Sequence, residues 1–281
     1  MFKDLLALTK PRLNFLVLLS ALAGNEMGRS GAFEPWRFFE FAAALFTLAG
    51  ASSALNMWME RGPDALMART AKRPMASGRM KPTAGLVFGL ALSVVSIAWL
   101  GMRVNALCAW LGVATWVSYL LIYTPLKRVT SMATLVGAIP GALPPVMGWA
   151  AATGSLGPQA LALFAILFLW QIPHFLAIAV MYGDEYKSAG FKVMPIEQGR
   201  EGTGRQMALY SLAMLPAGLA VYRLGMSGKV YAFASIALGL GYTLAALYAA
   251  RVPQRRSARS LLLVSVMYLP LLLTFMLADK N

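Results

Sequence analysis

Three oxygen-bearing side chains lie four residues apart at the end of an apolar segment: Asn56, Glu60 and Asp64. A four-residue step along an α-helix advances about 400°, so these side chains would share one face. Two carboxylates and an amide on one face suit a hard cation such as Mg²⁺, which prefers oxygen ligands. Basic residues follow within one or two turns, at Arg69, Lys72 and Arg73. Carboxylates that hold Mg²⁺ beside cations that hold phosphate oxygens describe a diphosphate site.

The composition indicates that helices crossing a membrane position this site. Of the 281 residues, 59% are hydrophobic, a level that soluble domains seldom reach. Nine apolar segments come near the ~20 residues that a spanning helix needs. They cover roughly residues 9–28, 38–58, 83–102, 106–123, 131–151, 159–182, 207–224, 230–250 and 260–277. The sequence therefore predicts an all-α integral membrane protein with nine transmembrane helices, in a single domain of residues 1–281.

The distribution of charge predicts how the chain is oriented. A net charge of +14 could indicate a nucleic-acid partner, but the basic residues are sorted by loop. With a cytoplasmic N-terminus, 19 of the 25 Lys and Arg residues fall on the cytoplasmic side and 6 on the other. This split follows the positive-inside rule. We therefore expect a cytoplasmic N-terminus, a periplasmic C-terminus and no nucleic-acid partner.

Cysteine usage and the N-terminal residues bear on the compartment. The single cysteine, Cys108, lies inside a predicted span, which excludes an intrachain disulfide and a cysteine metal cluster. Lys3, Lys10, Pro11 and Arg12 precede the first span, and no small-residue cleavage site follows them. These features favour a bacterial inner membrane over an organelle.

A second polar loop, at about residues 183–206, carries the adjacent acids Asp184 and Glu185. A solvated turn is the alternative interpretation of such a pair. Because this loop and the first one, at about residues 60–82, share the predicted cytoplasmic side, two acidic clusters could hold Mg²⁺ ions around one diphosphate. The metal ions would neutralise charge on the departing pyrophosphate. Further phosphate contacts are predicted from Arg69, Arg73, Lys127 and Arg128.

Aromatic side chains near the same level could shield the carbocation that forms when an allylic C–O bond breaks. The candidates are Trp58, Tyr119, Tyr123, Trp170 and Phe175. Each of them could instead pack in the core or at the lipid interface.

The single histidine, His174, lies within a predicted span beside Gln171 and Pro173. Polar residues at that depth usually face a cavity, and proline interrupts the regular backbone. Three roles stay open for His174: iron ligand, proton handler or hydrogen-bonded core residue. Its two neighbours favour a functional cavity.

The motif N-x3-E-x3-D-x2-M-x-R-T-x2-R-P, at residues 56–74, resembles the first Asp-rich motif of the UbiA superfamily of intramembrane prenyltransferases. The resemblance is closest to the branch that modifies haem. It extends to TKPRLN (residues 9–14), YTPLKR (123–128), GAIPGALPPVMGW (137–149), WQIPHF (170–175) and DEYKSAGFKVMP (184–195). Together these matches span the chain from residue 9 to about 200.

The resemblance implies a nine-helix UbiA-type bundle whose active site opens to the cytoplasm. It implies farnesyl diphosphate as donor, haem B as acceptor, Mg²⁺ as cofactor and haem O as product, after farnesyl addition to a vinyl group and addition of water. Haem A synthase or oxidase assembly factors would be partners, besides the lipid bilayer. Implied metal and catalytic positions are Asn56, Glu60, Asp64, Asp184 and Glu185, with His174 as a mark of the haem branch. Residues implied to contact haem or the prenyl chain are Arg12, Trp58, Tyr123, Trp170, Gln171 and Phe175.

The first motif departs from the superfamily pattern in two ways. Glu60 stands where the superfamily usually has Asp, so the carboxylate reaches one methylene further. Arg61, Gly62 and Pro63 follow where the family often has another acid, and Pro63 is predicted to kink or end the helix there. A loop could then present Asp64.

Two alternative functions remain. One is a UbiA-type prenyltransferase with an aromatic quinone precursor as acceptor, against which the motifs at residues 67–74 and 170–175 argue. The other is a non-enzymatic transporter or haem-handling protein. Transporters bury ionisable residues at mid-membrane, whereas seven of the eleven acidic residues here are predicted at one surface.

Overall fold

A computed structural model describes residues 2–252 and 254–281 and shows an all-helical chain over those ranges. The first helices are α1 Phe2–Leu8, α2 Pro11–Gly28, α3 Pro35–Met59, α4 Arg61–Leu66, α5 Pro82–Trp99, α6 Ala106–Val117 and α7 Thr124–Leu126. The remaining ones are α8 Ala133–Thr153, α9 Pro158–Met181, α10 Gly183–Ser188, α11 Met194–Glu197, α12 Gly199–Arg223, α13 Lys229–Arg251 and α14 Arg255–Ala278. Short π-helical segments, Leu100–Val104 and Ser118–Tyr123, extend α5 and α6.

Seven of the described helices are long and apolar enough to cross a membrane, or eight if the bent pair α1 and α2 forms one span. Each of the nine predicted apolar segments coincides with a long helix. The helix α12, which corresponds to the predicted segment at residues 207–224, has 25 residues. It is not among the helices apolar enough to count as spans, because its first turns are polar. The integral membrane class is confirmed, and the count of nine spans stays a prediction.

The start of α12 corrects the predicted extent of the second loop. The loop was expected to reach residue 206, yet α12 begins at Gly199. Residues 199–206 are mostly polar. A prediction based on apolar segments therefore places them in the loop, although they form the first two turns of α12.

Prolines and close helix contacts shape the bundle. Pro11, Pro35, Pro82 and Pro158 each stand at the first position of a long helix, where the missing N–H has no intrahelical partner to lose. The helices α2 and α8 lie so close that a Cβ added at Gly148 would collide with the α2 backbone. Small residues permit this approach in membrane bundles.

Contacts of Lys10 and Lys280 show where the first and last helices of the bundle lie. Lys10, at the start of α2, contacts Asn56 at the end of α3. At the other end of α2, the ammonium of Lys280 donates to the Glu26 carbonyl. The N-terminal and C-terminal residues of the described chain therefore lie at opposite ends of the bundle.

Both polar loops meet at the end that holds Asn56. Met67 of the first loop packs against Ala189 and Phe191 of the second in one buried cluster. The backbone N–H of Lys192 also donates to the carbonyl of Lys127, over 2.8 Å. These contacts place the candidate residues of both loops around one end of the helices.

Candidate active site

The first acidic motif straddles a helix break. The helix α3 ends at Met59, Glu60 lies at the junction, and Asp64 is on the short helix α4. The three residues therefore do not lie on one continuous helix, and that prediction is wrong. The break that was expected at Pro63 occurs three residues earlier, at Glu60. Hydrogen bonds of the i, i+4 type nevertheless continue through the break: Glu60 N–H donates to the Asn56 carbonyl at 2.9 Å, and Asp64 N–H to the Glu60 carbonyl at 2.8 Å. For that reason the three side chains remain neighbours.

Each buried carboxylate of this motif is paired with a cation. The ammonium of Lys127 lies 2.7 Å from Glu60 Oε1, and one guanidinium nitrogen of Arg73 lies 2.7 and 2.6 Å from the two oxygens of Asp64. Glu60 is 6% exposed and Asp64 is 1% exposed. Charges buried to this degree require partners, so the two bridges hold the site together before any ligand arrives.

Lys127 and Tyr123 come from the irregular end of the α6 span. The ammonium of Lys127 lies 4.4 Å from the centroid of the Tyr123 ring, a cation–π contact. Burial opposes the charged form, but Tyr123 and Glu60 more than offset it and raise the pKa of Lys127 above its ordinary value. Lys127 therefore remains a cation throughout the physiological pH range.

Asn56 links the motif to two residues that the sequence interpretation did not assign to the site. Its amide nitrogen donates to Thr124 Oγ1 at 3.2 Å, and its amide oxygen lies 3.4 Å from the ammonium of Lys10. Lys10 is also within electrostatic range of Glu60, Asp64, Arg73 and Lys127. Lys10 belongs to the motif at residues 9–14, so the resemblance of that motif to the family could have indicated it.

Lys10 reaches the site from a strained turn. Its backbone is left-handed (φ 43°, ψ 57°), and no other described residue except glycine has a positive φ. Asn14 supports the turn by donating to the Thr9 carbonyl and to Ser53 Oγ on α3. Strained backbone that the surroundings hold in place is characteristic of functional sites.

The second acidic pair lies beside this cluster but is not joined to it. Asp184 is exposed, and Glu185 Oε2 accepts a hydrogen bond from the backbone N–H of Arg69 at 3.4 Å. Within residues 2–252 and 254–281, no three His, Cys, Asp or Glu side chains converge closely enough to hold a metal ion. The two acidic clusters thus face the same end of the bundle without forming one set of ligands.

Aromatic rings separate the two clusters. The Arg69 guanidinium lies 5.5 Å from the ring centroid of Tyr182 and 5.8 Å from that of Tyr186. Tyr186 packs edge-on against Phe191, whose ring lies 5.9 Å from the ammonium of Lys127. Burial raises the pKa of Tyr186, which keeps its hydroxyl protonated. The sequence interpretation missed Tyr182, Tyr186 and Phe191, because tyrosine and phenylalanine in a loop carry no signal of their own.

His174 and its neighbours form a polar group deeper in the bundle. His174 Nδ1 lies 2.7 Å from Ser265 Oγ on α14, and the indole N–H of Trp170 donates to the Ser265 carbonyl at 2.8 Å. The Gln171 amide donates to the carbonyls of Ala138 and Leu167. Seven residues separate His174 from the end of α9, which places it roughly 10 Å below the loops at 1.5 Å per residue.

The other candidates lie around the edge of the site or away from it. Arg12 and Arg128 are exposed. The Arg61 guanidinium lies 5.3 Å from the ring centroid of Trp58, which also packs against a methionine-rich cluster. Phe175 is 38% exposed. The roles predicted for these residues stay predictions.

Sequence comparison places the chain among known proteins. The profile of the UbiA prenyltransferase family matches residues 17–272. A protoheme IX farnesyltransferase from Solibacter usitatus is 42% identical and aligns over 99% of both chains. Another, from Myxococcus xanthus, is 44% identical over 85% of this chain and 81% of its own.

Comparison with solved structures agrees in fold. A structure concerned with digeranylgeranylglyceryl phosphate synthase superposes with a TM-score of 0.84, at 13% identity, over 99% of this chain and 98% of that one. A UbiA homologue from Archaeoglobus fulgidus, bound to DMAPP and Mg²⁺, superposes with a TM-score of 0.74, at 16% identity, over 97% and 99%. At such identities the likeness shows the fold alone, whereas the profile and the sequence relatives cover nearly the whole chain. The protein thus belongs to the UbiA prenyltransferase family.

Proposed function

We propose that this chain transfers the farnesyl group of farnesyl diphosphate to a vinyl group of haem B (protohaem IX), with addition of water, to give haem O and free diphosphate. The observation that carries the proposal is the pair of buried bridges at the end of α3, Glu60–Lys127 and Asp64–Arg73. The relatives named protoheme IX farnesyltransferase support the choice of donor and acceptor, since they align over most of their own length.

Lys127, Arg73 and Lys10 would receive the diphosphate. An entering diphosphate competes with Glu60 for Lys127 and with Asp64 for Arg73. The contacts it gains are strong because water is largely excluded. The bond that breaks joins C1 of the farnesyl chain to the diphosphate oxygen, and its electron pair leaves with that oxygen. The cations stabilise the negative charge that develops there.

Mg²⁺ fits the donor set of the first motif. Asn56, Glu60 and Asp64 offer amide and carboxylate oxygens, and all three side chains are buried. Mg²⁺ in proteins is often held by only one or two carboxylates together with substrate phosphate oxygens, so a larger acidic cluster is not required. Glu60 and Asp64 would hold the ion, and when bound it would supply charge neutralisation for the leaving diphosphate. We propose Asp184 and Glu185 as further ligands, since their loop packs on the first one.

Aromatic rings around Lys127 would shield the farnesyl cation. Tyr119 and Tyr123 lie on the π-helical segment, with ring centroids 5.7 Å apart. Their faces offer negative potential and exclude water, so the cation would react with the acceptor vinyl group before water reaches C1. The farnesyl cation would bond to one vinyl carbon and leave the positive charge on the other. Water would then add to that second carbon and release a proton.

We place this chemistry on the cytoplasmic side of a bacterial inner membrane, with nine spans. The basic loops and the opposite positions of the two chain ends support an odd number of crossings. Haem A synthase or oxidase assembly factors would receive the product.

The mass of the haem product tests the proposal. Detergent-solubilised protein is incubated with haem B, farnesyl diphosphate and Mg²⁺, and we expect a mass gain equal to a farnesyl group plus a hydroxyl group that disappears when a chelator is added. Prenylation of an aromatic acid instead of haem would replace the acceptor and keep the diphosphate site. Well-folded protein that consumes no prenyl diphosphate with either acceptor would favour a transporter or haem-handling protein.

A further inference from the structure

A cavity opens near the proposed diphosphate site, at the same end of the bundle. It has a volume of 460 Å³ and lies between α10, the α11 segment and the adjacent ends of α9, α12, α13 and α14. Three basic side chains line it, Lys187, Arg200 and Arg255, together with the single acid Asp184. The lining therefore carries an excess of positive charge.

The cations of this cavity have no carboxylate partner in the described part of the chain. Among residues 2–252 and 254–281, neither Lys187, Arg200 nor Arg255 forms an ion pair. One turn away on α12, Arg205 pairs with Glu201. Three basic side chains that line one cavity with a single acid attract an anion, and guanidinium groups bind carboxylates in a matched geometry.

The floor of the cavity is apolar. Ala179, Val180, Met207 and Ala249 line it below the basic residues. A small hydrated anion gains nothing from such a floor, whereas an amphiphilic acid buries apolar surface there while its carboxylates stay at the basic rim.

The cavity adjoins the diphosphate site through one tyrosine ring. The Arg255 guanidinium lies 6.0 Å from the ring centroid of Tyr182, and the Arg69 guanidinium lies 5.5 Å from the same ring. Beyond Tyr182, the rings of Tyr186 and Phe191 lead to Lys127. A ligand anchored in the cavity would thus extend along an aromatic wall towards Glu60 and Lys127.

We infer that this cavity binds the carboxylate edge of the acceptor, with Lys187, Arg200 and Arg255 receiving its carboxylates. The inference rests on the proposed function, because protohaem IX carries its two propionates on one half of the ring and its two vinyl groups on the other. Anchoring the propionate half here turns the vinyl half towards the diphosphate site. The cavity would then select acceptors by their acid groups, separately from the recognition of the donor.

A comparison of protohaem IX with its dimethyl ester tests the inference, because the ester keeps the ring and lacks both charges. Binding is followed by absorbance titration for the wild type, Lys187→Gln/Arg200→Gln and Arg205→Gln, which removes one basic charge from α12 outside the cavity. We expect the wild type and Arg205→Gln to prefer the free acid by about tenfold or more, and the double variant to lose that preference. The KM for farnesyl diphosphate should stay unchanged in all three, and Arg200→Lys should keep much of the preference.

An equal preference for the free acid in the wild type and the double variant would overturn the inference. So would a double variant that keeps this preference but no longer responds to phosphatidylglycerol in nanodiscs, since the cavity would then bind a lipid phosphate. Both outcomes are read from binding alone. Failure of the proposed function would appear instead as wild-type protein that forms no farnesylated haem in the product assay.

Discussion

The two polar loops at one end of the bundle use charge in opposite ways. In the first, acids and cations are buried together, as in the bridge between Asp64, 1% exposed, and Arg73. In the second loop and the adjoining first turn of α12, Asp184, Lys187 and Arg200 are exposed, and none of these three belongs to an ion pair within the described residues. Loops that looked alike in sequence, each an apolar helix followed by acids and basic residues, are therefore prepared for different ligands.

This difference teaches how one site can treat two anionic substrates separately. Buried bridges are preorganised, and only a ligand of high charge density such as a diphosphate competes well for their cations. Exposed, unpaired cations are already available to a weaker anion such as a carboxylate. We therefore propose that the buried bridges of the first loop receive the donor and that the unpaired cations Lys187 and Arg200 receive the acceptor.

The largest effect is expected from the first loop. Glu60→Gln keeps the shape of the side chain and removes the charge that pairs with Lys127 and would hold Mg²⁺. We expect kcat to fall by about 10²-fold or more, the range seen when one preorganised electrostatic contact is lost. Turnover of haem B is measured alongside Glu34→Gln, which removes an exposed acid paired with Arg37. Near wild-type turnover in Glu60→Gln would remove the first loop from the chemistry.

Substitutions of Lys10 can distinguish the role of its charge in binding from the role of its left-handed turn in stability. Lys10→Asn should raise the KM for farnesyl diphosphate about tenfold, because one charge-assisted contact is lost. The thermal unfolding temperature should hold or rise, since asparagine adopts the left-handed conformation more readily than lysine. Lys10→Ala should lose both affinity and stability. A normal KM in Lys10→Asn would show that the turn has only a structural role.

His174 tests whether α9 and α14 contribute to the acceptor side. His174→Ala should weaken the binding of haem B by a few-fold and leave the KM for farnesyl diphosphate unchanged. Ser265→Ala removes only the partner of the imidazole and should cost about 1 kcal/mol of unfolding free energy. A haem titration that is unchanged in His174→Ala would make this histidine a hydrogen-bonded core residue.

The smallest effect concerns the acid stability of the second loop. The backbone N–H of Ser131 and the nearby Lys192 lower the pKa of Glu197 below its ordinary value. Because the folded pKa lies below the unfolded one, this stabilisation is present above the unfolded pKa and is lost as the pH falls through the folded pKa. Thermal unfolding between pH 3 and 7, roughly the range in which carboxylates titrate, should show less acid sensitivity in Glu197→Gln than in the wild type. Identical dependence of the unfolding temperature on pH in the two proteins would mean that the contact between Glu197 and Ser131 does not stabilise the fold.

Some features were accessible from sequence because they depend on local periodicity. The spacing of Asn56, Glu60 and Asp64 survived a helix break, since hydrogen bonds of the i, i+4 type continue through it. The membrane class followed from apolar segment lengths, which depend on bilayer thickness. The start of α12 was not accessible, because polar residues at a helix end look like a loop.

Other features depend on contacts between distant segments. The bridge between Glu60 and Lys127 joins residues 67 apart, and the contact between Lys10 and Asn56 joins residues 46 apart. Side-chain types suggested that cations would surround the carboxylates, but not which cation meets which acid. The distinction between the buried, paired acids of the first loop and the unpaired cations Lys187 and Arg200 is likewise a property of packing.

We propose that the site around Glu60 and Asp64 handles the donor and that the cavity lined by Lys187, Arg200 and Arg255 handles the acceptor. This division is tested most directly by measuring the KM for farnesyl diphosphate and for haem B in Lys10→Asn and Arg200→Gln, prepared side by side. We predict a crossed pattern, in which Lys10→Asn raises only the KM for farnesyl diphosphate and Arg200→Gln raises only that for haem B. Two variants that raise the same KM, or that each raise both equally, would contradict the division.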